Sequence, residues 1–184
     1  MKKVILSLVL IFSLLKSFSQ VTSNAILVGG NLNFEKQNSL SILNFTSFSV
    51  NPYAGFFISN HFMLGARSIF SSTRYNNNST AREIGFGILS RYYPIHKAKI
   101  LPYLQIGLQR INYRYKTDDS NNPFSKDYSN IAAVASGVNL FIDRHIALES
   151  SFEYNIIASD RALDEKKSFA IKFGFQIFLN NNNK

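Results

Sequence analysis

Glu149 and Glu153 stand four residues apart in a segment that alternates apolar and polar residues, so both fall on one face of a strand. Arg67, Arg91 and Lys172 share that parity in other segments. Such a set admits two chemistries. One is a carboxylate pair working as acid and base; the other is an ion-pair network that neutralises charge in a confined space. Companions for catalysis are missing. The three histidines, His61, His96 and His145, are spaced to fit no metal motif. No serine sits in a Gly-x-Ser-x-Gly elbow. The chain has no cysteine, which removes disulfides, thiolate metal sites, thiol nucleophiles and a lipid-bearing cysteine. Gly85-Phe86-Gly87 lies within a strand-like segment and makes no phosphate loop. Lys116 to Asn122 offers acidic and amide oxygens for a hard cation such as calcium, but lacks the glycine and later glutamate of an EF-hand loop. A polar surface loop is the expectation there. No cofactor is expected, and the ion-pair network is the favoured reading of the five charges.

The elements that must hold those charges are clearest at the end of the chain. From Phe169 to Leu179 every odd residue is large and apolar (Phe169, Ile171, Phe173, Phe175, Ile177, Leu179). The even residues are Ala170, Lys172, Gly174, Gln176 and Phe178, small or polar apart from the last. This is a strand with one greasy and one wet face. Its length of about 33 Å, tilted by about 40°, gives roughly 25 Å of height, the height of the apolar band on a transmembrane barrel.

The pattern recurs, less strictly, in segments near Ala25–Glu35, Phe45–Ile58, Phe62–Thr73, Arg82–Tyr93, Leu101–Tyr115, Asn130–Ile142 and Ile146–Ile157. Eight strands are therefore expected. The connections after strands one, three, five and seven read as longer and polar, the last two spanning Lys116–Ser129 and Ala158–Lys167. Those after strands two, four and six are mostly short, namely Ser59–His61, Pro94–Lys99 and Asp143–His145. Short turns at one end and long loops at the other are a barrel's habit, and an even strand number returns both termini to the short-turn side.

The wet parity includes Asn31, Asn51, Tyr53, Glu83, Tyr103, Gln105, Asn139 and Gln176 beside the five charges. An eight-stranded barrel is only wide enough for side chains to fill. Charges of both signs inside it must pair. Counted from the short-turn ends, Arg91 and Glu149 fall at a similar low depth; Glu153 falls near Lys172, with Arg67 somewhat lower. A lumen plugged by ion pairs is expected. Glycines 29, 55, 65, 85, 87, 107, 137 and 174 share the inward parity, where small residues leave room for large neighbours.

At the start, Lys2 and Lys3 precede a twelve-residue apolar run from Val4 to Leu15, broken only by Ser7 and Ser13. Small residues at Ser17 and Ser19 predict cleavage between Ser19 and Gln20. The run is too short for a spanning helix, which needs about 20 residues. The expected division is a signal peptide over 1–19, a barrel domain over 20–180 and a polar tail over 181–184. Loss of Lys2, Lys3 and Lys16 lowers the net charge from +9 to +6. The basic residues are scattered, so no nucleic-acid partner is expected. Anionic lipid head groups or surface polysaccharide are the more natural counterparts, and plain solvated charge is favoured over either.

Taken together, the chain resembles the small OmpA/OmpX-type outer-membrane β-barrel family, a porin-like group. The carriers are Pro52-Tyr53-Ala54-Gly55-Phe56-Phe57, Leu64-Gly65, Arg91-Tyr92-Tyr93-Pro94, Gly137-Val138-Asn139-Leu140-Phe141 and Leu148-Glu149. Lys172, Gly174, Ile177 and Leu179 match the signal that barrel-assembly machinery reads on a last strand, although Asn180–Lys184 follow where an aromatic end is usual. The resemblance implies an all-β, eight-stranded antiparallel up-and-down transmembrane barrel in the outer membrane. It also implies contact with lipid and lipopolysaccharide and an insertion step at the assembly machinery. It supplies no activity. Three roles follow as expectations: a non-enzymatic wall of the envelope, a surface adhesin or binder acting through the long loops, and a lipid A-modifying enzyme. The last needs chemistry near the outer leaflet, whereas all three histidines fall in turns on the opposite side.

Overall fold

The computed structural model describes residues 22–37, 45–76, 79–116, 124–159 and 162–179. The expected leader, the expected Ser19/Gln20 cleavage site, the tail and the oxygen-rich stretch after Lys116 lie outside those residues. Eight strands form: β1 (Ile26–Gln37), β2 (Phe45–Phe57), β3 (Phe62–Tyr75), β4 (Thr80–Tyr92), β5 (Ile100–Lys116), β6 (Phe124–Phe141), β7 (Ile146–Ser159) and β8 (Ala162–Leu179). Each pairs antiparallel with the next, and β8 returns to β1, so the sheet closes into an up-and-down barrel.

Closure rests on a short seam that runs from Ile26↔Leu179 to Leu32↔Phe173. Gly174 explains how tightly this seam is drawn. A Cβ there would run into the carbonyl oxygen of Gly30 on β1. The absence of a side chain is thus a packing requirement of the last strand as well as a match to the assembly pattern.

Parity decides what each face meets. The apolar parity points outward and stays uncovered: Phe169 is 68% exposed, Ile106 62% and Leu108 61%. The polar parity points inward and is largely buried, Glu153 and Arg91 each to 1% exposure. This is the inverse of a water-soluble barrel, which hides its apolar face.

Two strands reach further than the sequence reading placed them. β6 begins at Phe124 rather than near Asn130, and β8 begins at Ala162 rather than Phe169. What reads as two long polar loops is in large part strand. Lys116↔Phe124 closes the β5–β6 ladder, and Ser159↔Ala162 closes β7–β8. Above an apolar band both faces of a hairpin meet water, so the alternation that marks a strand fades while the backbone ladder continues. The expected sorting of loop lengths therefore becomes a difference in strand height.

At the other end the inward residues turn apolar. Leu27, Phe57, Met63, Leu101, Phe141 and Phe178 are buried together just inside the short turns. Phe178 lies 4.8 Å from Phe141 and 6.2 Å from Phe57, ring centre to ring centre. The lumen thus has an apolar floor beneath its polar contents, a feature the ion-pair expectation did not include.

Candidate functional site: the barrel lumen

Above the floor lies a cage built around Glu149 of β7. Its Oε1 accepts from Arg91 Nη2 at 2.9 Å and from the Tyr103 hydroxyl. Its Oε2 accepts from Tyr53 Oη at 2.6 Å and Asn31 Nδ2 at 2.9 Å. Four donors from four strands therefore converge on one carboxylate. Arg91 is held as completely. Its Nε and Nη2 donate to Gln105 Oε1 at 3.1 and 2.7 Å, and its Nη1 donates to Tyr93 Oη at 3.2 Å. The guanidinium carbon also lies 3.9 Å from the centre of the Tyr103 ring, a cation–π contact. Asn139 Nδ2 donates to Tyr93 Oη at 3.2 Å and ties β6 into the cage. Every ring involved is inward-pointing, and the glycines opposite make the space: a Cβ on Gly137 would lie 2.6 Å from the Tyr103 ring carbon and hydroxyl.

Two pleats further along the same face of β7, Glu153 forms a second cluster. Arg67 Nη1 of β3 donates to its Oε2 at 3.0 Å. Lys172 Nζ of β8 donates to its Oε1. Two cations thus share one carboxylate, leaving this level one positive charge in excess. Arg67 Nε is buried with no partner among the described residues.

Above Glu153 the lumen opens. A cavity of about 360 Å³ is walled by Ser47, Ser49, Ser71 and Thr73 on one side and by Ile69, Ile111 and Ile131 on another. Glu83 lines it half-buried. Thr73 Oγ1 donates to Ser47 Oγ at 2.9 Å across the β2–β3 pair. This vestibule faces the end where the hairpins project.

All five charges singled out in the sequence lie in the lumen, in two separate groups: Arg91 with Glu149, and Arg67 and Lys172 with Glu153. Glu149 and Glu153 are not a working pair, because each is committed to its own partners. Of the assembly-pattern residues, Lys172 serves the upper cluster, Gly174 the seam, and Leu179 is half-exposed at the end of β8. The sequence reading missed Tyr93 as a cage member, and the signal was available: it follows Arg91 by two residues and so shares its parity. The histidines lie in the short turns, apart from these five charges. His61 Nδ1 donates to the Tyr93 carbonyl at 2.7 Å, and its ring meets His96 edge-on at 4.8 Å, both at the short-turn end. Among the described residues no group of three or more His, Cys, Asp or Glu side chains is placed to hold a metal ion.

No family model matches the sequence, and no curated protein matches it. Solved structures do. Neisserial surface protein A aligns with a TM-score of 0.60 at 17% identity, covering 84% of this chain and 97% of that one. The outer membrane protein OprG of Pseudomonas aeruginosa aligns with a TM-score of 0.52 at 8% identity, covering 88% of this chain and 98% of that one. The fold is that of the small outer-membrane β-barrels. At such identities the likeness extends to the fold and no further.

Proposed function

We propose that this chain is an integral outer-membrane barrel with a plugged lumen, exported by its leader over 1–19, inserted by the barrel-assembly machinery, and serving the envelope as a non-enzymatic wall element. The observation that carries this reading is the inside-out distribution of side chains. Phe169, Phe34, Ile106 and Ile171 stand more than 60% exposed on an apolar outer wall, while three ion pairs are buried within. Water does not tolerate an apolar surface of that extent on a monomer, whereas lipid does. The short-turn end carries both termini and faces the periplasm in this reading.

The plug follows from the floor and the cage. A conducting path would have to pass the Glu149 cage and then the apolar cluster around Phe178, neither of which has room or mobile charge. Enzymatic work is disfavoured because Glu149 and Glu153 are each committed to cationic partners and the histidines sit at the end far from the outer leaflet.

The projecting β5–β6 and β7–β8 hairpins favour a second reading, in which their tips bind a surface partner. The two readings share one first test. The purified chain in detergent is expected to migrate faster unboiled than boiled, and to enter liposomes with no conductance of the large-porin size. Steady large-porin conductance excludes the plug. Loop deletion then separates the roles, because a binder loses its ligand and a wall element shows only envelope defects.

A further inference from the structure

We infer that the outer wall over β4–β6 holds one molecule of a lipid carrying two phosphates, of the lipid A type, with its phosphates on Arg82, Arg110 and Arg114 and an acyl chain in the trough below. The inference rests on the membrane reading above, which makes this end of the barrel the outer leaflet.

The first observation is charge. Arg74, Arg82, Arg110, Arg114 and Lys116 all point outward at the projecting end of β3–β5. Arg82 and Arg114 face each other directly across the β4–β5 ladder. Like charges so placed repel, and an anion between them turns that cost into attraction. No carboxylate balances them on this face among the described side chains. Glu83, Glu149 and Glu153 point inward, and Asp143 sits in a turn at the opposite end.

The second observation is depth. Arg110 pairs with Phe86, so a guanidinium stands at a level where the adjacent strand is still apolar. A cation on the lipid face is costly at mid-membrane and far less so at the interface. Arg110 bends away from the centre: its guanidinium lies 4.3 Å over the ring of Tyr128, which is one pleat nearer the projecting end. Stacking draws the guanidinium toward the projecting end. Arg110 and Arg114 are about 13 Å apart along β5, a span for two phosphates rather than one.

The third observation is shape. In the row Ile88–Leu108–Ala132–Ile156 the third position is a single methyl group. Two depressions of about 500 and 530 Å³ meet there. The upper one begins between Arg110 and Asn130, and the lower one runs on past Ser90 and Val134. The trough is apolar, starts at the cations and descends along the wall, which suits an acyl chain.

The test uses the full chain in detergent, titrated with diphosphorylated lipid A, phosphatidylglycerol and phosphatidylcholine, with bound lipid counted by native mass spectrometry. Lipid A is expected to bind at least about tenfold more tightly than either phospholipid. The triple variant R82Q/R110Q/R114Q is expected to lose roughly a hundredfold of that affinity. A132F fills the trough without touching charge, and is expected to weaken retention as well. Both variants are read only where their unboiled form still migrates fast, so that folding is established independently. Equal binding of all three lipids, or a folded triple variant that retains lipid A unchanged, overturns the inference and leaves the membrane reading standing. Loss of heat-modifiable mobility in the parent chain overturns the membrane reading itself.

Discussion

Glu149 and Glu153 face the same way on one strand, four residues apart, and both are buried, yet their surroundings differ. Glu149 sits between the apolar floor and a ring of tyrosines, and four donors from other strands fill its lone pairs. Glu153 has two cations and borders a cavity of about 360 Å³ that opens toward the projecting hairpins. The lower half of the lumen is therefore solved as a protein interior, by a dense hydrogen-bond network around one carboxylate and by ring packing. The upper half is solved as a lined vestibule, by side chains of both charges and by hydroxyls. The difference teaches where rigidity lies: a lower-half change strands a buried charge, whereas an upper-half change is open to repair by water.

The sharpest break of this contrast is Glu149→Ala. It leaves Arg91 buried against three tyrosines without its carboxylate, a loss of about 3–5 kcal/mol. The urea midpoint, followed by loss of the fast-migrating unboiled form, should fall steeply or the variant should not refold. A midpoint within error of the parent would show that the cage carries no stability.

Much of this arrangement is legible in the chain, and the limits are physical. Parity alone sends Arg67, Arg91, Glu149, Glu153 and Lys172 to one face, because a strand has a period of two. Counting depth from the turns brings Glu153 beside Lys172. Partner choice across the lumen is less legible, since Glu149 draws donors from β1, β2, β4 and β5, set by strand stagger and not by neighbouring sequence. The apolar floor was marked by Phe178, the one large residue on the even face of the last strand, yet a single exception does not announce a cluster. The upper reaches of β6 and β8 escaped because the sequence there, Phe124–Ser129 and Ala162–Ser168, is too polar to show a sustained apolar alternation. The cation cluster was hidden for a different reason: Arg82 and Arg114 are far apart in sequence and come opposite each other only through the β4–β5 register.

A smaller loss is expected at Gly137→Ala. The added methyl would press on the Tyr103 ring and on the Ser150 carbonyl, 2.6 and 2.7 Å away. Tyr103 cannot retreat without releasing Glu149 and the stacked Arg91. Overpacking of this kind costs about 1–3 kcal/mol, and the upper part of that range is expected because the cage has no slack. Chemical denaturation of the variant beside Gly137→Ser distinguishes crowding from mere loss of glycine: the larger side chain should cost more.

Glu153→Gln probes the other half. The amide oxygen can still accept from Arg67 or Lys172, and the cavity above admits water to the cation left over. About 1–1.5 kcal/mol is expected, well short of the Glu149 effect. Added salt should narrow the gap to the parent, because an anion can enter where the carboxylate charge was removed. A loss as large as that of Glu149→Ala, insensitive to salt, would show the upper cluster to be as closed as the lower one.

The mildest change, Thr73→Val, tests whether the vestibule is wet. It deletes the hydroxyl that donates to Ser47 at 2.9 Å while keeping the shape of the side chain. In a dry interior the stranded Ser47 hydroxyl would cost about 1–3 kcal/mol. Ser47 is half-buried and lines a cavity many times the volume one water occupies. A solvent molecule can therefore take the lost partner's place, and the net change should stay within about 0.5 kcal/mol. A shift above about 1 kcal/mol in the same unfolding measurement would mean that water does not reach Thr73. The two halves of the lumen would then differ in charge but not in solvent, and the explanation offered for Glu153 would have to rest on its second cation alone.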